Sequence, residues 1–383
     1  MKDASGWADF WSIALHPIGY QTSEIVSNAR SMQEAWAREN NVAFDDAGWL
    51  FEITAAQVKK FKPDVLFVND YTTFSADYIR NLRTSVPSIK LVIGWCGAPY
   101  TNGSVFKSYD VILSSVPELV SHFTTNGLRS YQMNHAFEPR ILERIDTSTP
   151  PTVEFAFIGS IVKKDKFHHE RERLLVRLIE ESGLEVWTDV HRPSVKDRLG
   201  VLARRAAYDG YHLGARFLKG SRHVPILNKV AEWKQRPSLP AMVDDRISRH
   251  SKPPLFGLEM FQQLQRSRVI FNNHIDLSSS YASNLRLYEA TGVGSCLLTD
   301  WKSNLAELFE ADAEIVTYKN ADECIEKLRF LLSHPEERSA IALAGQARTL
   351  RAHTFALRAA QLDELIRSSL IPTHSRFSVS RGF

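Results

Sequence analysis

The segment Asn284–Asp300 reads NLRLYEATGVGSCLLTD, the pattern of a short helix, a glycine turn and a buried strand. Arg286 and Glu289 stand three positions apart, so their side chains project from one face of that helix. An arginine can bind a diphosphate through two nitrogens, and a carboxylate can accept both hydroxyls of a ribose. The pattern therefore suits a nucleotide site. The alternative is an intrahelical ion pair with Gly292 and Gly294 serving as the helix C-cap.

The rest of the chain alternates short β-rich runs with helical stretches. In the stretch at 46–62, for example, Leu50, Ile53, Val58 and Phe61 fall on one stripe of a 3.6-residue period. Such alternation is typical of parallel sheets covered by helices, so an α/β fold is predicted. The predicted strands are 64–70, 90–97, 110–115, 130–137, 154–160, 184–190, 267–274, 295–300 and 313–318.

Length and composition fit two domains. The chain has 383 residues, of which 44% are apolar, and a domain takes about 150 residues. Its apolar runs are far shorter than the roughly 18 residues of a membrane span. The N-terminal sequence MKDASGWADFWS lacks a basic-then-apolar signal pattern, so a cytoplasmic protein is expected. Cys96, Cys296 and Cys324 are too scattered for a disulfide framework and are predicted to be reduced core residues.

The paired prolines of STPPT at 148–152 favour an extended connection, which predicts a domain boundary there. The first domain is predicted to comprise residues 1–148 and the second residues 149–350, with a basic helical insertion at 191–252. Residues 351–383 are predicted to form a C-terminal helix and tail. The run FWSIALHPIGY at 10–20 follows no apolar strand, so the first strand of the first domain is predicted to be missing.

Charge is unevenly distributed. The formal net charge is +3, yet residues 192–252 contain 14 lysines and arginines against five acidic residues. This excess indicates a localised basic surface facing phosphate or anionic lipid. The alternative is a set of solvated helix faces whose arginine stems cover apolar surface.

Together these segments resemble the CgeB-like (spore maturation protein) group of GT-B glycosyltransferases, which is related to the group-1 glycosyltransferases. The strongest part of the resemblance is the pattern N-x-R-x-x-E followed by LLTD within 284–300. The other matching segments are NARSMQEAWARENN, KPDVLFVND, LVIGWCGAP, YDVILSS, FIGS, PPLFGLEMFQQLQRSRVIFNNH and HPEERSAIALAGQARTLRAHTFALR.

The resemblance implies two Rossmann-like domains facing a central cleft, with a C-terminal helix that crosses back to the first domain. It implies that the second domain binds a nucleoside diphosphate, with Glu289 on the ribose and Arg286 with Asn284 on the diphosphate. The loop PPLFG would contact the base through Phe256 and Gly257. The remaining donor-side residues implied are Gly159, Ser160 and His274. The strand-end turn FIGS at 157–160 could let a phosphate approach backbone N–H groups, and Lys163, Lys164 and Lys166 after it would add positive charge. The alternative is a plain strand-end turn.

The sequence departs from the group-1 pattern at one position. A second glutamate is expected eight residues before Glu289, and Tyr281 stands there. The paired-glutamate assignment therefore does not carry over, and the choice between retention and inversion stays open. The resemblance implies no bound metal, and the pair Asp244–Asp245 lies in the basic insertion and not at a strand end. Neither a metal nor another cofactor is therefore expected.

Asp70 and His135 follow predicted strands of the first domain, where open α/β sheets place their ligands. Either is a candidate catalytic base for an acceptor hydroxyl, and imidazole has the more suitable pKa. The alternative for both is an ordinary hydrogen bond that anchors a loop. His16 and Trp95 are acceptor-side candidates, and Trp95 could instead pack in the core.

The function predicted is sugar transfer from a nucleotide-sugar donor to an acceptor hydroxyl, in cell-surface polysaccharide or glycoconjugate synthesis. The acceptor would be a glycan or a lipid-linked molecule, with peripheral membrane contact through 191–252. The alternative is a catalytically silent GT-B protein that serves as a scaffold. No nucleic-acid partner is expected, because aromatic residues do not interleave with the basic ones.

Overall fold

The computed structural model describes Ala4 and residues 6–98, 100, 102–161, 169–190, 194–214, 236–237, 242–274 and 280–371. They divide into two compact units. Unit 1 comprises Met1–Ala156 and Leu255–Phe383, and unit 2 comprises Phe157–Pro254. No helix in the described ranges is both long and apolar enough to cross a membrane.

Unit 1 contains a four-stranded parallel sheet in the order β1-β2-β3-β4. Its strands are β1 (Val65–Val68), β2 (Leu91–Trp95), β3 (Val111–Ser114) and β4 (Ser130–Gln132). The predicted strand at 130–137 is therefore too long. The chain leaves the sheet after Gln132, and Phe137 instead forms a β-bridge with Thr354.

Helices surround this sheet. They are α1 (Phe10–Leu15), α2 (Arg30–Glu39), α3 (Trp49–Phe61), α4 (Ala76–Ser85) and α5 (Pro117–Thr125), and 3-10 turns lie at His16–Ile18, Ser104–Ser108 and Pro139–Ile141. Capping explains several boundaries: the Ser75 hydroxyl accepts the Tyr78 N–H at the start of α4, and α5 begins on Pro117. In the described residues before Val65 the regular elements are helical, so β1 is the first strand in the described part of the chain.

Unit 1 also holds four strands of a second parallel sheet in the order β10-β9-β8-β5. These are β5 (Val153–Ile158), β8 (Ser267–Asn272), β9 (Cys296–Asp300) and β10 (Val316–Tyr318). The division between the units falls within β5. The helices of this part, numbered after the three of unit 2, are α9 (Gly257–Gln265), α10 (Arg286–Gly292), α11 (Leu305–Leu308), α12 (Ala321–Ser333), α13 (Pro335–Ala352) and α14 (Phe355–Leu370).

Unit 2 contains the parallel pair β6 (Glu185–Trp187) and β7 (Ser251–Lys252). Just beyond the end of β5, the Gly159 N–H donates to the Trp187 carbonyl at 3.1 Å. The helices of this unit are α6 (His169–Ser182), α7 (Val195–Gly214) and α8 (Asp245–His250). The basic insertion predicted at 191–252 falls partly outside the described residues.

The C-terminal helix α14 packs on the first sheet. Its Ala359, Leu362, Leu365 and Ile366 belong to one buried cluster with residues of the strands, namely Leu91, Ile93, Trp95, Val111 and Leu113. This confirms the predicted return of the C-terminal helix to the N-terminal part of the chain.

Candidate active site

In helix α10, Arg286 and Glu289 form the intrahelical ion pair that was the alternative interpretation of their spacing. Arg286 Nη1 lies 2.9 Å from Glu289 Oε2, and the two side chains are only 14% and 13% exposed. The same guanidinium also meets helix α9, where both Nη atoms lie within 3.5 Å of Met260 Sδ. The arginine is therefore held in one orientation by a carboxylate and a thioether.

Asn284 precedes this helix and is fixed by a second amide. Its Nδ2 donates to Asn272 Oδ1 at 2.7 Å, and Asn272 Nδ2 donates to the Thr299 hydroxyl at 2.9 Å. Asn272 ends β8 and Thr299 lies near the end of β9. The hydrogen-bonded amides thus join the start of α10 to the carboxyl ends of two neighbouring strands, the edge at which open α/β sheets bind ligands.

His274, Asp300 and Lys302 form a charged group beside these amides. Both the backbone N–H and Nδ1 of His274 contact Asp300 Oδ1, at 3.0 and 2.7 Å, and Lys302 Nζ lies 3.1 Å from Oδ2. Burial raises the pKa of Asp300, but His274 and then Lys302 outweigh that effect and lower it to about 2. The carboxylate is ionised at neutral pH. With Nδ1 directed at Asp300, the buried Nε2 of His274 has no hydrogen-bond partner in the described part of the chain.

Phe256 and Gly257 lie at the start of α9, one turn before Met260. Phe256 is the N-cap residue and is 69% exposed, whereas Gly257 is buried and has a φ of +55°. The exposed phenyl ring and the Arg286 contact thus share one short helix. Tyr281, at the position where a second glutamate was expected, is partly exposed in the segment that leads into α10.

His135 lies after β4 and is linked to the segment before α10. Its Nε2 is 3.3 Å from the Ser115 hydroxyl, which is 3.3 Å from the Ser283 carbonyl. The Ser115 hydroxyl has a single hydrogen, which it donates to the Ser283 carbonyl, so its oxygen accepts from His135 Nε2–H. The lone pair of the His135 ring therefore lies on Nδ1. That Nδ1 is buried, and no residue that the structure describes forms a hydrogen bond with it. Burial, and then the charge of Arg358, lowers the pKa of His135 to about 4, so the ring is neutral at pH 7.

Asp70, the other candidate base, lies in a turn after β1. Its Oδ1 accepts hydrogen bonds from the Thr72 N–H, the Thr72 hydroxyl and the Thr73 N–H at 3.0, 2.7 and 3.1 Å. Burial raises the pKa of Asp70, but these hydrogen bonds more than offset it, and the pKa lies below its usual value. These contacts match the loop-anchoring alternative.

The two acceptor-side candidates occupy different environments. Trp95 ends β2, is 6% exposed and packs edge-on against Trp7 at 4.8 Å between ring centroids, in the core that α14 covers. His16 is exposed and contacts the Thr22 hydroxyl at 3.2 Å. Trp95 therefore packs in the core, the second of its two interpretations.

Gly159 and Ser160 belong to unit 2. Beyond the Gly159 bond to Trp187, the Ser160 carbonyl accepts a hydrogen bond from Arg171 Nη1 at 3.0 Å. Lys163, Lys164 and Lys166 lie outside the described residues. Within the described ranges, no three histidine, cysteine, aspartate or glutamate side chains converge as a metal ion requires.

Sequence reasoning missed Asn272, Asp300, Lys302 and Ser115. The first two were visible as polar residues at the ends of apolar strands, in VIFNN and CLLTD. Ser115 carried no comparable signal, because its importance comes from contacts with residues 20 and 168 positions away.

Residues 203–364 match a protein family described as glycosyl transferase-like. Three solved structures cover most of the chain. A glycosyltransferase from Rickettsia africae ESF-5 is 10% identical over 89% of this chain and 88% of its own, with a TM-score of 0.52. Anabaena HepE in complex with UDP-glucose is 9% identical over 96% and 97%, with a TM-score of 0.54. An α,α-trehalose 6-phosphate synthase from Burkholderia multivorans is 13% identical over 93% and 83%, with a TM-score of 0.50.

A search of curated protein sequences gave no significant match. At such low identity the similar structures establish the fold and nothing finer. The predicted α/β fold with two parallel sheets is confirmed. The chain therefore has the GT-B fold, and residues 203–364 within it match the glycosyl transferase-like family.

Proposed function

We propose that this protein transfers a sugar from a nucleotide-sugar donor to an acceptor hydroxyl. The observation that carries the proposal is the oriented Arg286–Glu289 pair, together with Asn284, at the carboxyl ends of β8 and β9. The glycosyl transferase-like match over residues 203–364 includes all three residues and supports the same conclusion. The similar structure of HepE, which contains UDP-glucose, makes a uridine nucleotide the first donor to test.

In this proposal Arg286 forks onto the diphosphate, and Glu289 accepts the ribose hydroxyls. Phe256 and Gly257 contact the base, and His274 and Asn284 line the phosphate side. As the bond between the anomeric carbon and the phosphate oxygen breaks, negative charge grows on the leaving nucleoside diphosphate. Arginine, lysine and backbone N–H groups would stabilise that charge without a metal ion.

The acceptor oxygen then bonds to the anomeric carbon, and its proton passes to a base or to the departing phosphate. Of the two candidate bases, His135 is neutral at pH 7 and its Nδ1 has no hydrogen-bond partner among the described residues, but burial lowers its pKa to about 4 and makes it a weaker base than a free imidazole. The hydrogen bonds that hold Asp70 in its turn favour a structural role for it. The pattern N-x-R-x-x-E supports placement in the CgeB-like group, with a glycan or lipid-linked acceptor in polysaccharide or glycoconjugate synthesis.

The test is calorimetric titration of the full chain with UDP-, GDP- and dTDP-sugars, followed by assay of slow donor hydrolysis. We expect one nucleotide class to bind and the double variant Arg286→Ala, Glu289→Ala to lose that binding. The matched control removes an exposed arginine–glutamate pair from α6, Arg177→Ala with Glu181→Ala, and should bind as the wild type does.

Two results would contradict the proposal. One is that none of the sugar nucleotides binds to the folded wild-type protein, which would favour a scaffold role. The other is that the Arg286, Glu289 double variant binds the donor with unchanged affinity.

A further inference from the structure

Helix α7 in unit 2 carries an apolar stripe that remains exposed. Val195, Leu199 and Leu202 are 75%, 61% and 58% exposed, and Ala206 is also exposed. At 100° per residue these four positions fall within about 60° of arc, along three turns of the helix. Val201 of the same helix is 5% exposed and points about 130° away. The buried side and the stripe are thus separate faces of α7.

Basic residues flank the stripe. Arg198 and Arg205 lie along one side of it on the helical wheel, and Lys196 lies on the other. The two acidic residues of α7 are already engaged. Asp197 accepts the Ser194 N–H and hydroxyl at the start of the helix, and Asp209 forms a two-bond pair with Arg236 at 3.0 and 2.6 Å. The charge beside the stripe is therefore positive.

This combination of an apolar stripe and basic flanks is the pattern of a helix that lies in a membrane interface. A second copy of the chain fits less well, because the basic flanks of two α7 helices, with Lys196, Arg198 and Arg205 on each, would repel. An anionic lipid surface attracts the same residues.

We propose that α7 docks this protein on a membrane surface that contains anionic lipid. Val195, Leu199 and Leu202 enter the boundary between head groups and acyl chains, and Lys196, Arg198 and Arg205 approach the lipid phosphates. The side chains that the structure describes on the stripe include three sizeable apolar ones, so binding is reversible and needs both the apolar and the electrostatic contribution. The proposal does not depend on sugar transfer.

The test is co-sedimentation of the full chain with vesicles of phosphatidylcholine, with and without phosphatidylglycerol. We expect binding to the anionic vesicles only, and weaker binding when salt rises from about 0.1 M to about 1 M and the screening length falls from about 10 Å to about 3 Å. The double variant Leu199→Gln, Leu202→Gln should reduce the vesicle partition constant about tenfold.

The matched control is Leu343→Gln, which makes the same change at a leucine of α13 that is 66% exposed. It should bind vesicles as the wild type does. Because all three leucines are exposed, both variants should keep the wild-type circular dichroism spectrum and melting temperature.

Three results would overturn the proposal. The wild type could fail to bind anionic vesicles, or the Leu199, Leu202 double variant could bind them unchanged. The third is a concentration-dependent dimer in analytical ultracentrifugation that the double variant abolishes, since a second copy would then cover the stripe. Donor binding measured on the same variants reports separately on the proposed function.

Discussion

Arg286 has little freedom to reorient, because Glu289 holds one edge of its guanidinium and Met260 contacts the same group from helix α9. A planar fork held in this way matches the oxygens of a phosphate, whereas an ammonium group offers a single point of charge. A lysine at position 286 would keep the positive charge but lose the planar fork. Its effect on donor binding therefore distinguishes a ligand-binding role of Arg286 from a structural one.

We therefore predict that Arg286→Lys keeps the fold but weakens nucleotide-sugar binding about tenfold, or about 1.4 kcal/mol. Lysine can still pair with Glu289, so the melting temperature should change little. Calorimetric titration measures the affinity, and Arg177→Lys in α6 supplies the same substitution in an exposed pair. Unchanged affinity in Arg286→Lys would mean that the arginine does not contact the donor.

His353 provides a second test at the scale of one residue. Its Nε2 contacts the Leu308 carbonyl and its Nδ1 contacts Arg358 Nη2, both at 3.0 Å. The carbonyl needs a donor and the guanidinium needs an acceptor, so the ring is neutral with its proton on Nε2. Burial is the main cause that lowers the pKa of His353 to about 4, and the hydrogen bond to Leu308 opposes it.

An unfolded histidine has a pKa of about 6.5, so the unfolded chain binds more protons than the folded one below that pH. We predict that His353 lowers the free energy of unfolding by up to about 3 kcal/mol as the pH falls from 6.5 to 4. Urea unfolding across this range should show a smaller pH dependence for His353→Gln. The exposed His122→Gln should leave it unchanged, and an equal effect of both variants would refute the assignment.

Among the elements, the segment at 280–285, directly before α10, is held by the loop after β9. The Asn304 side chain accepts the Ala282 N–H at 2.7 Å and donates to the Ala282 carbonyl at 3.0 Å. Ser303 adds bonds to the Ser280 carbonyl from its N–H and its hydroxyl, at 2.9 and 2.8 Å. Asn284 and Arg286 follow Ala282 in the chain. The loop after β9 therefore fixes the position of the backbone that carries these two side chains.

We predict that Asn304→Ala reduces the free energy of unfolding by about 2 kcal/mol, because it leaves two buried backbone groups without partners. Donor affinity should fall as well, since the backbone that carries Asn284 and Arg286 would no longer be held in position. The control is Asn320→Ala, which removes the amide cap of α12 and should cost about 1 kcal/mol without changing donor binding. If Asn304→Ala and Asn320→Ala bound the donor with equal affinity, the loop after β9 would affect stability alone.

The sequence predicts elements well where the signal is local. Apolar runs locate β2, β3, β8 and β9, and the spacing of Arg286 and Glu289 is enough to place them on one helix face. The signal fails where the partner is distant. Residues after Gln132 look like a continuing strand, but Phe137 bonds to the segment around Thr354 instead, more than 200 positions away.

Gly292 shows the same limit at the site. From the sequence it reads as a helix-ending glycine, but a Cβ there would lie 2.3 Å from the ring of Phe137. The absent side chain lets α10 approach the segment that follows β4. That requirement depends on tertiary packing, so the pattern of the glycine turn alone does not reveal it.

At the scale of the whole molecule, the last helix completes the hydrophobic core of the first sheet. Leu362 is 2% exposed and belongs to the same cluster as Leu91 and Leu113 of β2 and β3. Helix α1 adds Leu15 to this cluster, whereas α14 contributes four buried residues. The N-terminal sheet thus depends on residues near the other end of the described chain.

We predict that Leu362→Ala destabilises the protein by about 2–5 kcal/mol, since it removes buried contacts and leaves a cavity. Leu357→Ala, on the same helix but 40% exposed, should cost much less. Hydrogen exchange locates the effect: the amides of β2 and β3 should lose protection in Leu362→Ala together with those of α14, because one cluster holds both. If only α14 exchanges faster, the sheet is stable without the helix, and the dependence inferred from the shared core is wrong.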